Sequence, residues 1–222
     1  MSALDALRLE TRSFPPPAAI AAAANVGPDA WETAAADPDA FWAAAAGRLD
    51  WVRPWDTVRT WQPAEPTGRA NADGSPELTI PAVTWFAGGT LNAAVQCVDR
   101  HVAAGHGERI ATYFEGEPGD RRTVTYAELQ REVARAANAL EALGVEAGDR
   151  VVVVLPPLIE TLVVTLAIAR IGAVHSLVFG GFSADAVRFR LEDTGAKVLV
   201  TSDGQFRRGE AVGVKERMDR AA

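Results

Sequence analysis

An α/β fold is the class this sequence predicts: a partial doubly wound parallel sheet, preceded by an irregular, Trp-rich helical N-terminal extension. Three observations carry that expectation. Apolar-rich runs at 151–155, 173–179 and 197–201 have the composition of strands buried on both faces. Segments of helical periodicity separate them, so successive strands need crossovers and run parallel. All six tryptophans and most of the prolines fall before residue 99, which divides the chain into 1–98 and 99–222.

The first part offers helical pieces around 20–24, 30–36 and 39–48. The stretch 51–55, and then 60–81 with its Pro, Gly, Asn and Asp residues, reads as irregular chain. Six tryptophans in such a segment need a surface, either as anchors for an extension that wraps a larger body or as an aromatic cage. No internal repeat is visible.

The second part is periodic. Thr125-Tyr-Ala-Glu128 is a capping-box pattern, in which the Thr hydroxyl and the Glu carboxylate each accept a free helix N–H. Leu129, Val133, Ala136, Ala137, Leu140 and Leu143 follow at helical spacing, and Gly144 ends the helix. Val151–Leu155 is the first strand, 158–171 a helix closed by Gly172, and 173–179 the second strand. Gly180-Gly181 turns the chain, Ser183 caps a helix to about Asp193, 197–201 is the third strand, and 214–222 starts another helix. Three strands are half of an open sheet, and the third would have no neighbour. A second chain would then complete the sheet, or more of the same chain would. An uncovered edge predicts a chain that, alone, is partly unfolded or self-associating.

Composition excludes several functions. There are 22 Lys and Arg against 29 Asp and Glu, for a net charge of -7, whereas proteins that lie on nucleic acid are usually basic. One cysteine, Cys97, allows no intrachain disulfide, and three histidines without paired spacing disfavour a zinc hydrolase. Cys97 and His175 read as a buried thiol and a core histidine. The apolar stretch 155–179 is broken by Pro156, Pro157, Glu160, Arg170 and His175, so no membrane span is expected. Asp5, Glu10 and Pro15-Pro16-Pro17 sit where a leader would be basic and unbroken, leaving the cytoplasm as the expected location. No GxGxxG, GxxxxGK[ST] or GxSxG motif occurs.

Open α/β sheets bind ligands beyond the carboxyl ends of their strands. Pro156-Pro157 after the first strand offers no phosphate cradle. Gly180-Gly181 before a helix is either a tight turn or a close backbone approach for an anion. Arg207-Arg208-Gly209-Glu210 is either a phosphate grip or a solvated charged loop. Residues 207–220 hold five basic and three acidic side chains, a mildly positive stretch in an acidic protein.

The motifs taken together resemble those of AMP-forming acetyl-CoA synthetases, within the adenylate-forming superfamily. Phe14-Pro-Pro-Pro17, Asp37-Pro-Asp-Ala-Phe-Trp42, Leu49-Asp-Trp51 and Pro54-Trp55 run in that family's order. Trp85-Phe-Ala-Gly-Gly-Thr-Leu-Asn92 and Cys97-Val-Asp-Arg-His101 are similar to its signature, with Gln96 where the family has Asn. Gly148-Asp-Arg150, Ala169-Arg-Ile-Gly-Ala-Val-His175 and Val178-Phe-Gly-Gly-Phe-Ser183 extend the match. The resemblance implies the N-terminal portion of a ligase that joins acetate to CoA through acetyl-adenylate, with ATP, CoA and Mg²⁺ as the full family's substrates and cofactor. It implies that Phe179, Gly180 and Gly181 approach CoA, and that Arg207, Arg208, Gly209 and Glu210 form the clamp on its nucleotide phosphates. Glu210 stands where the family has a second basic residue. The family's phosphate loop and lysine-bearing C-terminal domain have no counterpart in the 222 residues, which implies no catalytic residue here and no adenylation by this chain alone. A non-catalytic CoA-binding or partner-docking chain is the alternative, and propionate or another short acid is the alternative substrate.

Overall fold

The computed structural model describes residues 12–222; Asp5 and Glu10 lie outside them. Three short helices come first: α1 (Ala18–Ala22), α2 (Ala30–Ala36) and α3 (Pro38–Ala46). α3 starts at Asp37, whose carboxylate accepts the Ala40 N–H at 2.9 Å, with Pro38 in the first turn. The stretch 51–55 is irregular as expected, but half of 60–81 is strand: β1 (Thr57–Gln62), β2 (Pro66–Ala70) and β3 (Pro76–Leu78) precede β4 (Ala82–Ala87). β1 pairs with β4, and β2 pairs antiparallel with β3. The turn residues that argued for irregular chain make the β2–β3 connection, where the Asn71 N–H donates to the Ser75 carbonyl at 2.8 Å and Gly74 takes φ +82°.

The described chain divides into two compact units, one built from residues up to 48 and 58–83, the other from 49–57 and 84–222. In the smaller unit the Arg59 guanidinium pairs with Asp39 at 2.9 Å. The larger unit holds an aromatic cluster in which Trp51, Trp55 and Phe86 lie 5.0–5.7 Å apart, ring to ring. Gly89 fits beneath it, since a Cβ there would come within 2.5 Å of the Trp51 ring. Trp31 and Trp61 remain exposed, so the tryptophans do not act as one set of anchors.

Two short π-helical segments, Val95–Asp99 and Val102–His106, lead to the antiparallel hairpin β5 (Ile110–Glu115) and β6 (Arg121–Thr125). Asn92 joins two elements: its Oδ1 accepts the Ala94 N–H and its Nδ2 donates to the Arg170 carbonyl at 2.9 Å. Gln96 bonds both backbone groups of Asp50, a span its longer amide covers. Asp99 accepts from Gln130 and pairs with Arg170, each at 2.7 Å.

The capping box of α4 (Tyr126–Ala142) forms as its sequence predicts, with the Glu128 N–H on Thr125 Oγ1 and the Thr125 N–H on Glu128 Oε2. Hydrogen bonds from the Thr125 N–H and hydroxyl hold the Glu128 carboxyl below its ordinary range. Next come β7 (Arg150–Val154), α5 (Ile159–Arg170), β8 (Val174–Leu177), α6 (Ala184–Thr194) and β9 (Val198–Thr201). The three strands are parallel in the order β8-β7-β9. Alternate residues of β7 therefore face opposite sides. Val151 and Val153 pack with Leu129, Val133, Leu140, Val163 and Ile168 of α4 and α5, while Val152 and Val154 pack with Val187, Val214 and Met218.

This order leaves the third strand at an edge, as expected, and adds a second edge. With β7 central, both β8 and β9 are edges, and it is β8 that carries exposed Val174 and Leu177. His175 on β8 is exposed for the same reason, against the expectation of a core position. Cys97 is exposed as well, not buried. The chain closes with the hairpin β10 (Gly204–Arg207) and β11 (Glu210–Gly213), then the short helix α7 (Lys215–Asp219).

The Gly148-Asp-Arg150 motif is an anchor for the sheet. The Arg150 guanidinium donates to the carbonyls of Gly148, Thr194 and Gly195, tying the start of β7 to the end of α6. The Asp149 carboxylate accepts from Lys197 Nζ and from the Glu146 N–H, both at 2.7 Å. The Lys197 bond first, then the Glu146 N–H, lowers the Asp149 carboxyl, and Asp149 in turn raises the Lys197 ammonium. Sign follows from linkage. The Asp149 contribution is complete above the unfolded carboxyl value, near pH 3.9, and is lost as pH falls through the lower folded one. The Lys197 contribution is complete below about pH 10.4 and is lost as pH rises through its raised folded value. Urea unfolding from pH 2 to 6 is expected to show a shallower acid decline in Asp149→Asn than in the parent; parallel declines would show that this carboxylate contributes nothing.

Candidate functional site

The carboxyl ends of β7 and β8 and the start of the β10–β11 hairpin converge on one cleft of about 530 Å³. Its walls include Pro156 and Pro157 after β7, Phe179, Gly180 and Gly181 after β8, and Arg207 of β10. Each arrives for a local reason. β8 stops at Leu177, because the chain turns at Gly180-Gly181 before Ser183 caps α6 by accepting the Ala186 N–H. β10 reaches the same place because Val214 and Lys215 donate to the Asp203 carbonyl and close the base of the hairpin.

Four of the seven residues singled out from sequence line this cleft: Phe179, Gly180, Gly181 and Arg207. The Phe179 ring is 73% exposed, more than any other large apolar side chain of the β8 end. Arg207 reaches to within 3.9 Å of the point where a Gly181 Cβ would stand, and Gln205 Oε1 lies 3.0 Å from the corresponding point on Gly180. The glycines thus leave room that a side chain would close. Among the described residues no protein acceptor meets the N–H of Gly180 or Gly181.

Arg208, Gly209 and Glu210 stand apart from the cleft wall. Arg207 and Glu210 are the last paired residues of the hairpin, and Arg208 and Gly209 form its two-residue turn with φ of +56° and +82°. Two consecutive positive φ values give the turn that matches strand twist, and Gly takes the second at no cost. The Gly209 N–H is already engaged by the Glu117 carboxylate from the β5–β6 turn. The charged loop expected from sequence is therefore an ordered hairpin in which one arginine points to the cleft.

Sequence reasoning missed Gln205, Phe206, Pro156 and Pro157. The two prolines carry no phosphate donor, as expected, and supply an apolar wall instead. Gln205 and Phe206 gave no motif; only their register on β10 places them. A neighbouring cleft of about 790 Å³ shares these residues and extends to Phe114, Glu117 and Arg122.

Comparison with known proteins places this arrangement in a class. The model of a family described as AMP-binding enzyme matches residues 99–221, more than half of the chain, and the chain belongs to that family. A second model, for the acetyl-coenzyme A synthetase N-terminus, matches residues 28–97. Acetyl-coenzyme A synthetase of Streptomyces avermitilis is 51% identical across 96% of this chain, and that of Gemmatimonas aurantiaca 47% across 99%. That of Deinococcus radiodurans is 43% identical across 99%. The chain spans about 30–32% of the length of these curated relatives and matches their N-terminal part.

Proposed function

We propose that the chain is the N-terminal portion of an acetate–CoA ligase, which makes acetyl-CoA, AMP and pyrophosphate from acetate, ATP and CoA through acetyl-adenylate, and that it carries one half of the CoA site. The observation that supports this reading is the cleft itself, lined by the Gly180–Gly181 turn, Arg207 and the exposed Phe179. A guanidinium and backbone N–H groups suit phosphate oxygens, and an exposed ring suits a purine face. The relatives' name, acetyl-coenzyme A synthetase, supports acetate and CoA as the small-molecule partners.

Within this reading, β8-β7-β9 is one part of a doubly wound sheet, and residues 1–98 are the extension and 99–222 the first part of the AMP-binding domain, a division that the matches at 28–97 and 99–221 support. Among the described residues no group of three His, Cys, Asp or Glu side chains is placed to hold a metal ion. Mg²⁺ belongs to the proposed reaction of the full-length family. No described helix is long and apolar enough to cross a membrane; the cytoplasm and the absence of nucleic-acid partners remain part of the proposal.

Calorimetric titration of CoA into the 222-residue chain tests the half-site. Arg207→Ala is expected to weaken binding about tenfold, the effect of one charge-assisted phosphate contact. The same preparation is expected to show no acetate-dependent ATP–pyrophosphate exchange. Equal binding by parent and variant would remove Arg207 from the site, and clear exchange would show that the adenylation machinery is present after all. A second reading, a non-catalytic chain that docks onto a partner, is favoured by the open β8 edge with Val174 and Leu177 exposed. It predicts co-purification with a polypeptide that adds strands there.

A further inference from the structure

The geometry assigns Arg217 of α7 a role that no motif marks: a positioning residue that orients the Gly180–Gly181 peptide toward the cleft. This rests on the reading of that turn as a CoA contact and deepens it. The Arg217 Nη2 donates to the Gly180 carbonyl at 2.9 Å across 37 residues of sequence. Its Nε is buried without a partner, so the guanidinium is held in place while part of its hydrogen-bonding capacity goes unused. A buried donor left in that state is tolerated where the group has another task. Arg217 does not line the cleft. It can act on a ligand there only through the backbone it holds.

The physical step is the planarity of the peptide. In a trans peptide the carbonyl of Gly180 and the N–H of Gly181 point in opposite directions from one rigid plane. Fixing the carbonyl toward Arg217 therefore aims the Gly181 N–H the other way. Arg207 stands close to the same turn, within 3.9 Å of the space a Gly181 Cβ would take. Two glycines in sequence have more than one backbone conformation open to them, and without an outside contact the peptide can flip. Arg217 removes that freedom before a ligand arrives, which lowers the cost of ordering the turn on binding. The two arginines thus divide the work. Arg207 offers charge to the ligand, and Arg217 offers order to the backbone from behind.

α7 is placed for this purpose by its apolar side. Val214, Met218 and Ala221 pack with Val152, Val154 and Val187, so the helix is fixed to the sheet face next to the strand end it serves. The test uses the 222-residue chain with Arg217→Ala, Arg217→Gln and Arg217→Lys. CoA titration is expected to weaken five- to tenfold in Arg217→Ala, the loss of one charge-assisted bond that pre-orders the site, and to recover partly in the Lys variant. Amide NMR of the free chain provides a second readout: the Gly180 and Gly181 resonances should shift or broaden in Arg217→Ala while those of Val151–Val154 stay in place. Arg217→Gln, which keeps a neutral donor, serves if the Ala variant fails to fold. CoA affinity and glycine resonances unchanged in a folded variant would overturn the assignment. Absence of CoA binding by the parent would instead overturn the CoA reading, and the glycine resonances alone would then decide whether Arg217 orders the turn.

Discussion

Val152→Asp is expected to abolish cooperative unfolding of the larger unit. Val152 is fully buried in the middle of the central strand, opposite Ser176 on β8 and Leu199 on β9. Its side chain meets Val187, Val214 and Met218, none of which can donate a hydrogen bond. An unpaired carboxylate there costs several kcal/mol even after it takes up a proton, against about 5–15 kcal/mol of total stability for an ordinary domain. Val152→Ala separates the charge from the lost volume: it should cost about 2 kcal/mol and leave a measurable transition. Far-UV circular dichroism with urea titration reads both. A parent-like transition in the Asp variant would mean that β7 is not covered on the α6–α7 side.

The elements that sequence made legible are those whose signal is local. The capping box at Thr125 and Glu128, the helix stop at Gly144 and the cap at Ser183 each depend on residues within four positions. β7 was legible because four consecutive valines have few alternatives to burial on both faces. Strand order was not. The open edge expected at β9 is present, but the crossovers through α5 and α6 put β8 and β9 on either side of β7, so β8 is an edge as well. His175 was read as core because its strand is apolar, and the edge position of β8 exposes it instead. The strands within 60–81 were missed for another reason: Pro, Gly, Asn and Asp mark turns, and a tight hairpin is turn and strand together.

At the candidate site, residue types could be read but not their directions. Gly180 and Gly181 were legible because a Gly pair between strand and helix has few uses. The Arg207–Glu210 run read as a clamp or a solvated loop, and it folds as the tip of a hairpin. Turn geometry sends Arg207 to the cleft and leaves Arg208 at the tip with φ +56°. Glu117 and Arg217 had no signal in sequence, because each acts through a backbone group far along the chain: Glu117 on the Gly209 N–H and Arg217 on the Gly180 carbonyl. The Gly148-Asp-Arg150 motif shows the converse. It was legible as a motif, but that its side chains anchor the end of α6 and the start of β9 was not.

Glu210→Lys is expected to tighten CoA binding by one to two orders of magnitude. Glu210 faces Arg207 as its direct pairing partner across the hairpin, so their Cβ atoms are about 5 Å apart on one face. A carboxylate at that distance reduces the attraction Arg207 offers to a phosphate, and it repels the phosphate itself. Reversal to Lys changes the local charge by two units and adds a donor, and a charge-assisted contact contributes roughly 1.5–3 kcal/mol. Both residues are exposed, so the gain should shrink as ionic strength rises toward 0.5 M, where the screening length is a few ångströms. The introduced ammonium, beside Arg207 and Arg208, would also crowd like charge at the turn, and a small loss of thermal stability should accompany the gain. Titrations at two salt concentrations check the sign and its origin together. Tighter binding that ignores salt would point to a changed hairpin shape, and binding no tighter than the parent would show that the Glu210 side of the hairpin does not face the ligand.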